Sequence, residues 1–280
     1  MGYSILLAQG GLGNQLLQLC QVYLDIDATY NSIMVVPTLL ESRTRRLRGV
    51  TRRSLSGLIP DEYLTEKADI DILVRAKLRV LELLTNNSSE MYSIIHNGNK
   101  YYKGDGLSAR CFKKDAEEYW IRILNLLDRR FAGHQIYEET MVHMRHGDYA
   151  STKVNRLTGL YPLPASYYVE SVERLQLNIT NKNAEIKIFS DDPLYVKKLI
   201  RANSLYGWQC VSTQNPEKDL WQMTHAKNLI VSNSSYAAIA AHLCRIRNPS
   251  AQIIAPIAWF NNGKYNGTRF DLRLGEWILV

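Results

Sequence analysis

From about Glu138 onward, short β-branched segments alternate with helical ones: TMVHM then SYYVESVERLQL, EIKIF then PLYVKKLI, NLIV then YAAIAAHL, and finally QIIAP. Strands that alternate with helices of about ten residues cannot pair as hairpins. They must run parallel, joined by right-handed crossovers, and such sheets bind ligands beyond the carboxyl ends of their strands. The second half of the chain therefore reads as a Rossmann-like α/β domain. The opening has the same grammar on a smaller scale, with YSILLAQ as a strand, Gly10 to Gly13 as a turn, Asn14 to about Tyr30 as a helix and SIMVV as a strand. Between them, Ile70, Leu73, Val74, Leu78, Leu81 and Leu84 keep three-and-four spacing and predict an amphipathic helix over about 68–84. The run RRFAGHQ breaks the periodicity, which places a boundary between domains 1–135 and 136–280. The 280 residues suffice for two domains of ordinary size.

A formal net charge of +7 favours polyanionic partners without choosing among nucleotide diphosphates, anionic lipid and nucleic acid. No nucleic-acid motif or aromatic-basic repeat accompanies the charge, so no nucleic-acid partner is expected. Cys20, Cys111, Cys210 and Cys244 are far apart and form no CxxC pair, so neither a zinc spacing nor a disulfide framework is visible. The start MGYSILLAQGGLG lacks the basic and apolar regions of a secretory signal, and no apolar run reaches the roughly 20 residues that span a bilayer. A cytoplasmic protein is the expectation, which leaves the sequons at Asn87, Asn178 and Asn266 without a glycosylation machinery to meet. Six arginines at positions 43, 45, 46, 48, 52 and 53 read either as a solvated face or as a contact, from Arg43 to Arg53, with anionic lipid or a pyrophosphate-linked acceptor.

Four segments could carry chemistry. Gly10-Gly11-Leu12-Gly13-Asn14-Gln15 joins a strand to a helix, where backbone N–H groups can hold a phosphate or where glycine can simply make a tight turn. It has neither the Lys-Ser/Thr of a Walker loop nor the spacing of a dinucleotide fingerprint. His143-Met144-Arg145-His146-Gly147-Asp148-Tyr149 follows a strand, and period-two alternation puts His143 and Arg145 on one side. That pair could grip a nucleotide; the alternative is a structural Arg145–Asp148 ion pair. Phe189-Ser190-Asp191-Asp192 offers acceptors to a guanine edge or ribose, or caps the helix that follows. Adjacent aspartates also suggest a metal-binding pair, but no cluster of oxygen ligands surrounds them and no metal site is expected. Ser232-Asn233-Ser234-Ser235 offers hydroxyls and helix-start amides to a diphosphate, or again a cap. Three of these loops follow strands of one predicted sheet, and their convergence carries more weight than any one.

Taken in order, GGLGNQLLQ, HMRHGDY, FSDDPLYVKK, SNSSYAAIAAHL and APIAWFNNG resemble the α-1,2-fucosyltransferase family, glycosyltransferase family 11-like, whose members often read GGLGNQ, HxRRGDY, FSDD and SNSSFSWW. The resemblance spans nearly the whole chain. It implies a GT-B architecture of two Rossmann-like domains facing a central cleft, with domain 1–135 on the acceptor side and domain 136–280 binding the GDP-sugar. It also implies transfer of L-fucose from GDP-β-L-fucose with inversion, no cofactor and no metal. By position it assigns Arg145 to the diphosphate or the reaction centre; Asp148, close by in the chain, is a candidate base on proximity and could equally orient Arg145. It likewise assigns Gly13 and Asn14 to the diphosphate or reaction centre, His143 and one of Asp191 and Asp192 to the guanosine part, and Ser234 with Ser235 to phosphate oxygens, and Gly11, Gln15 and Asn233 beside them join the candidate substrate-binding residues. The implied partners are a GDP-sugar donor and an oligosaccharide or lipid-linked glycan acceptor, such as the 2-hydroxyl of a β-galactoside in a surface polysaccharide or O-antigen, at the inner face of the cytoplasmic membrane. Alternatives are another GDP-sugar or linkage, or a GDP- or glycan-binding protein without turnover. His146 stands where the family usually has a second arginine, Ala238-Ile239 replace paired tryptophans, and Gly104 to Leu107 departs from a GYxQ-like segment.

Overall fold

The computed structural model describes residues 3–8, 10–25, 32–37, 74, 77, 91–104, 108–131, 137–152, 159–175, 185–205, 207–213, 215–261, 267 and 271–280. The arginine cluster, the three sequons and most of the expected helix over 68–84 lie outside these residues. Val74 and Lys77 are both helical, Val74 buried and Lys77 exposed. The chain divides into two compact units, Met1–Ile123 and Leu124–Val280. The division falls ahead of the expected 135/136 boundary, within a helix that the periodicity argument had not isolated.

In the first unit, strand β1 (Tyr3–Ala8) leads into helix α1 (Leu12–Leu24), followed by β2 (Ser32–Pro37), β3 (Tyr92–His96) and β4 (Asn99–Lys103). The sheet order is β2-β1-β4-β3, with β1 parallel to both β2 and β4 and only β3–β4 antiparallel. Central β1 is buried from Ser4 to Ala8, as an apolar run between two parallel neighbours requires. The β3–β4 hairpin turns at Asn97 and Gly98, both with positive φ (49° and 75°), which gives the reversed turn that matches strand twist. Helix α1 begins at Leu12 rather than Asn14 and ends at Leu24. Gly13 therefore lies inside its first turn, and only Gly10 and Gly11 make the connection.

Helix α2 (Glu117–Phe131) begins in the first unit and ends in the second. In the second unit follow β5 (Tyr137–Met144), α3 (Ala165–Arg174), β6 (Ile186–Ser190), α4 (Pro193–Ala202), β7 (Trp208–Cys210), α5 (Pro216–Met223), β8 (Ala226–Ile230), α6 (Ser235–Arg247), β9 (Gln252–Ala255) and β10 (Ile278–Leu279). All six strands are parallel, in the order β10-β9-β8-β5-β6-β7. Counted from β5, this is the 3-2-1-4-5-6 order of the doubly wound nucleotide-binding sheet, as the strand-helix alternation predicts. Val142, Ile188, Ile230 and Ile254 on four adjacent strands pack with Tyr168 and Val172 of α3 and Val196 of α4 into one core. Helix α6 is buried almost all round, Ala237 to Ala241 being wholly inaccessible. Positions 238 and 239 are thus packing positions, so the departure from paired tryptophans bears on how α6 fits the sheet and not on a surface that meets substrate.

Among the described residues no helix is long and apolar enough to cross a membrane. All four cysteines are free thiols, and Cys20, Cys111 and Cys244 are buried.

Candidate active site

β5 and β8 are neighbours at the middle of the second sheet, with Val142 opposite Ile230. From β5 the chain crosses to β6 on one side, and from β8 to β9 on the other. Connections that leave adjacent strands in opposite directions open a crevice at the carboxyl edge of the sheet. The HMRHGDY and SNSS segments both start there, and FSDD ends the next strand over.

Direct contacts join the three loops. His143, the penultimate residue of β5, is buried, and its Nδ1 lies 2.8 Å from Ser232 Oγ. Burial, helped by the nearby Arg145 charge, lowers its pKa to about 3, so the ring is neutral at ordinary pH. The tyrosine of the motif, Tyr149, is buried and donates from its hydroxyl to the Asn233 carbonyl at 3.4 Å. Burial also holds that hydroxyl far above the usual phenol range. Arg145 lies just past the end of β5, so strand alternation does not determine its direction. Its Nη2 donates to Asp148 Oδ1 at 2.7 Å, and its Nη1 faces Asp191 Oδ2 at 3.1 Å, while 31% of its side chain stays exposed. Burial disfavours the guanidinium charge, but Asp191 and Asp148 more than offset that, and the group is held above its usual pKa. The ion pair of Arg145 with Asp148 is thus real, and it has a second carboxylate.

The two aspartates of FSDD have separate tasks. Asp191 Oδ1 accepts from the His146 backbone N–H at 2.9 Å. Asp192 is the N-cap of α4, accepting from the Tyr195 N–H at 3.0 Å, and its other oxygen meets His146 Nδ1 at 2.9 Å. The backbone N–H of Tyr195, then His146, hold the Asp192 carboxyl below the usual range. His146 also stacks on the Tyr195 ring, centroids 3.6 Å apart and planes 5° from parallel. Both carboxylates are thus engaged with protein groups, which does not fit a pair of metal ligands; among the described residues no cluster of three metal-ligating side chains occurs.

In the SNSS segment, Asn233 is wholly buried, and its amide donates to the carbonyls of Tyr161 at 3.1 Å and Trp259 at 3.2 Å. That use ties two loops together behind the site. Ser234 is the N-cap of α6 but makes no side-chain cap, and neither it nor Ser235 is followed by an acidic residue in the first turn. A helix start with no side-chain cap and no acidic first turn presents a positive dipole end that suits an anion.

The glycine turn belongs to the first unit. Gly11 is the N-cap of α1, again with no side-chain cap and no acidic residue in the first turn, and a Cβ built on it would meet nothing within 4 Å. Gly10 has φ +79°, and a Cβ there would come within 2.9 Å of Asn14. Gln15 is buried and donates to the Gly10 carbonyl at 2.7 Å, while Gly13 is buried and Asn14 half-buried. Gly10 and Gln15 therefore shape the turn, and Gly11 is the one that lets another group approach the backbone.

Gly147, Tyr149 and Ser232 lie inside the motifs read from the sequence but carry no role of their own there, and Tyr195, three residues past Asp192, was not singled out. Their signal is spatial: the partners of Gly147 and Ser232 are 44 and 89 positions away.

The family model for glycosyl transferase family 11 matches residues 118–279. This chain belongs to that family. The matched region includes every site residue of the second unit, whereas the glycine turn precedes it. Over 308 aligned positions the chain is 28% identical to the alpha-1,2-colitosyltransferase of Escherichia coli, covering 99% of each. Among solved structures it is similar to the fucosyltransferase NodZ from Bradyrhizobium, at 10% identity and a TM-score of 0.43, over 86% of this chain and 92% of that one. It is also similar to the E. coli heptosyltransferase WaaC, at 10% identity and a TM-score of 0.46, over 99% and 92%. As a family 11 glycosyltransferase with two α/β units, the chain works with a nucleotide-sugar donor and a glycan acceptor.

Proposed function

We propose that this enzyme transfers a deoxy sugar from a GDP donor to a sugar hydroxyl with inversion, with L-fucose from GDP-β-L-fucose the first donor to try and the 2-hydroxyl of a β-galactoside the acceptor. The observation that carries this reading is the meeting of the β5, β6 and β8 loops at the switch point of the second sheet, linked by His143–Ser232 and Arg145–Asp191 contacts. A nucleotide diphosphate finds there an uncapped helix start and a guanidinium that keeps part of its surface open. As the bond from sugar to diphosphate breaks, negative charge builds on the leaving phosphate and positive character on the sugar ring. Arg145 is permanently charged and held at both terminal nitrogens, so it meets the growing phosphate charge with little rearrangement. Asp148 commits Oδ1 to Arg145, which supports an orienting role over a role as general base. Neutral His143 supplies a buried wall that does not repel or attract with charge.

A second donor, colitose carried on GDP, is favoured by the E. coli relative, whose match extends over almost the whole chain. Release of GDP from GDP-fucose, GDP-colitose and other GDP-sugars, with and without β-galactosides and with EDTA present, separates these readings. Acceptor-dependent release from GDP-fucose supports the first, and release from GDP-colitose alone supports the second. Tight GDP binding without release from any donor would instead favour a binding protein that has lost turnover.

A further inference from the structure

We propose that Asp191, admitted by the missing side chain of Gly147, is a positioning residue that sets the direction of the Arg145 guanidinium and does not itself hold the nucleoside. This rests on the reading of Arg145 as the ligand of the departing phosphate.

Both oxygens of Asp191 already have protein partners: Oδ1 takes the His146 N–H at 2.9 Å, and Oδ2 faces Arg145 Nη1 at 3.1 Å. A carboxylate that reads a guanine edge must turn its oxygens outward to the base, whereas here they point along the HMRHGDY loop. Asp148 grips the other terminal nitrogen at 2.7 Å, so the guanidinium plane is fixed from two sides. A single carboxylate would leave that plane free to swing about one contact.

Gly147 shows that this arrangement is built. Its φ is not among the positive values, so the backbone does not require glycine there. The residue is exposed, so neither does burial. What requires it is space: a Cβ at 147 would lie 2.2 Å from Asp191 Oδ2, a separation no real Cβ shows. A side chain at 147 and the Asp191 carboxylate in its present place exclude one another. The two positions are 44 apart in the chain and belong to different motifs, and the contact between them serves Arg145.

The nucleoside-ligand and positioning roles predict opposite outcomes for binding and turnover. Asp191→Asn keeps the shape and the acceptor for the His146 N–H but removes the charge that steadies Arg145. If Asp191 positions Arg145, kcat falls by about 10- to 100-fold, the scale seen when a group that orients a functional residue is lost. GDP and guanosine affinities, read by calorimetry, hold or improve, because one fewer negative charge faces the diphosphate. If Asp191 is a nucleoside ligand, guanosine and GDP affinities both drop by about tenfold or more, as for the loss of a charged hydrogen bond, and that result overturns the proposal. The second arm is a double-mutant cycle on turnover. Gly147→Ala should slow the wild type and have no further effect in an Asp191→Ala background, where nothing remains to collide with; additive losses would reject the coupling. Wild-type GDP binding is measured in the same titrations. Its absence would defeat the GDP-donor reading, whereas the Gly147–Asp191 cycle is read on turnover of any accepted donor.

Discussion

In the proposed transfer, Arg145 is the residue on which the chemistry turns. Its two carboxylate contacts fix the plane of the guanidinium, yet 31% of the side chain remains accessible to a ligand. Arg145→Ala should lower kcat about 10²- to 10³-fold, the loss of roughly 2.7–4 kcal/mol seen when an oriented donor to a developing oxyanion is removed. Steady-state kinetics alongside a circular dichroism spectrum test this, and near-normal kcat in a folded variant would remove Arg145 from the mechanism. Arg145→Lys should recover little, because an ammonium cannot hold Asp148 and Asp191 with separate nitrogens in one plane. The sequence made the residue types of this site legible, since a guanidinium, imidazoles and carboxylates cluster after a predicted strand. It could not assign their partners. Asp191 reads as a nucleoside ligand when only FSDD is in view, and its tie to Arg145 becomes visible only when β5 and β6 lie side by side. Asn233 likewise reads as a phosphate ligand in SNSS, and becomes a tie to Tyr161 and Trp259 once those loops fold over it.

At the scale of elements, the second half of α2 is tied to α5 and α6 by one acid. Asp128, in the second half of α2, accepts from Trp221 Nε1 of α5 at 3.0 Å and from Arg247 Nη2 of α6 at 2.6 Å. Arg247 and Asp128 side chains are only 12% and 15% exposed, so the contact is shielded from water. Asp128→Ala leaves a buried guanidinium and an indole N–H without this acceptor and should destabilise the second unit by about 1–3 kcal/mol. A lower urea midpoint with unchanged slope would show it; a midpoint equal to the wild type would mean that water replaces the carboxylate. The legible elements were those with strong periodicity: β5, β6, β8, β9, α3, α4 and α6 all fall where alternation puts them. Short β7 and β10, three and two residues long, carry too little pattern to detect, and α5 is only eight residues. The β3–β4 hairpin carries a readable signal, Asn97-Gly98 between YSIIH and NKYYK, beyond the helix expected over 68–84.

At the scale of the whole molecule, acid should act through buried imidazoles rather than through the site's ion pairs alone. His143 is depressed from 6.5 to about 3 and His242 to about 4, in both cases chiefly by burial. The folded protein therefore leaves both rings neutral in a range where the unfolded chain protonates them. The unfolded state binds more protons between the two values, so stability rises with pH across that window and falls as pH drops below about 6.5. Each ring should cost roughly 2–3 kcal/mol by about pH 4.5, from 1.36 kcal/mol per unit of depressed pKa. Asp192 and Asp271 work in the same direction, because carboxyls held below their usual range lose their stabilising charge on protonation, but their effect comes in only nearer the carboxylate range. The imidazole contribution is thus recognisable by where it begins. Thermal melts from pH 7.5 downward should show Tm declining already between pH 6.5 and 5, and His242→Gln should reduce that early decline by about half, His143 supplying the rest, while leaving the steeper fall at lower pH. A wild-type Tm that stays level until the carboxylates titrate would mean that both rings gain protons in the folded protein, through local opening of α6 or of the β5 edge.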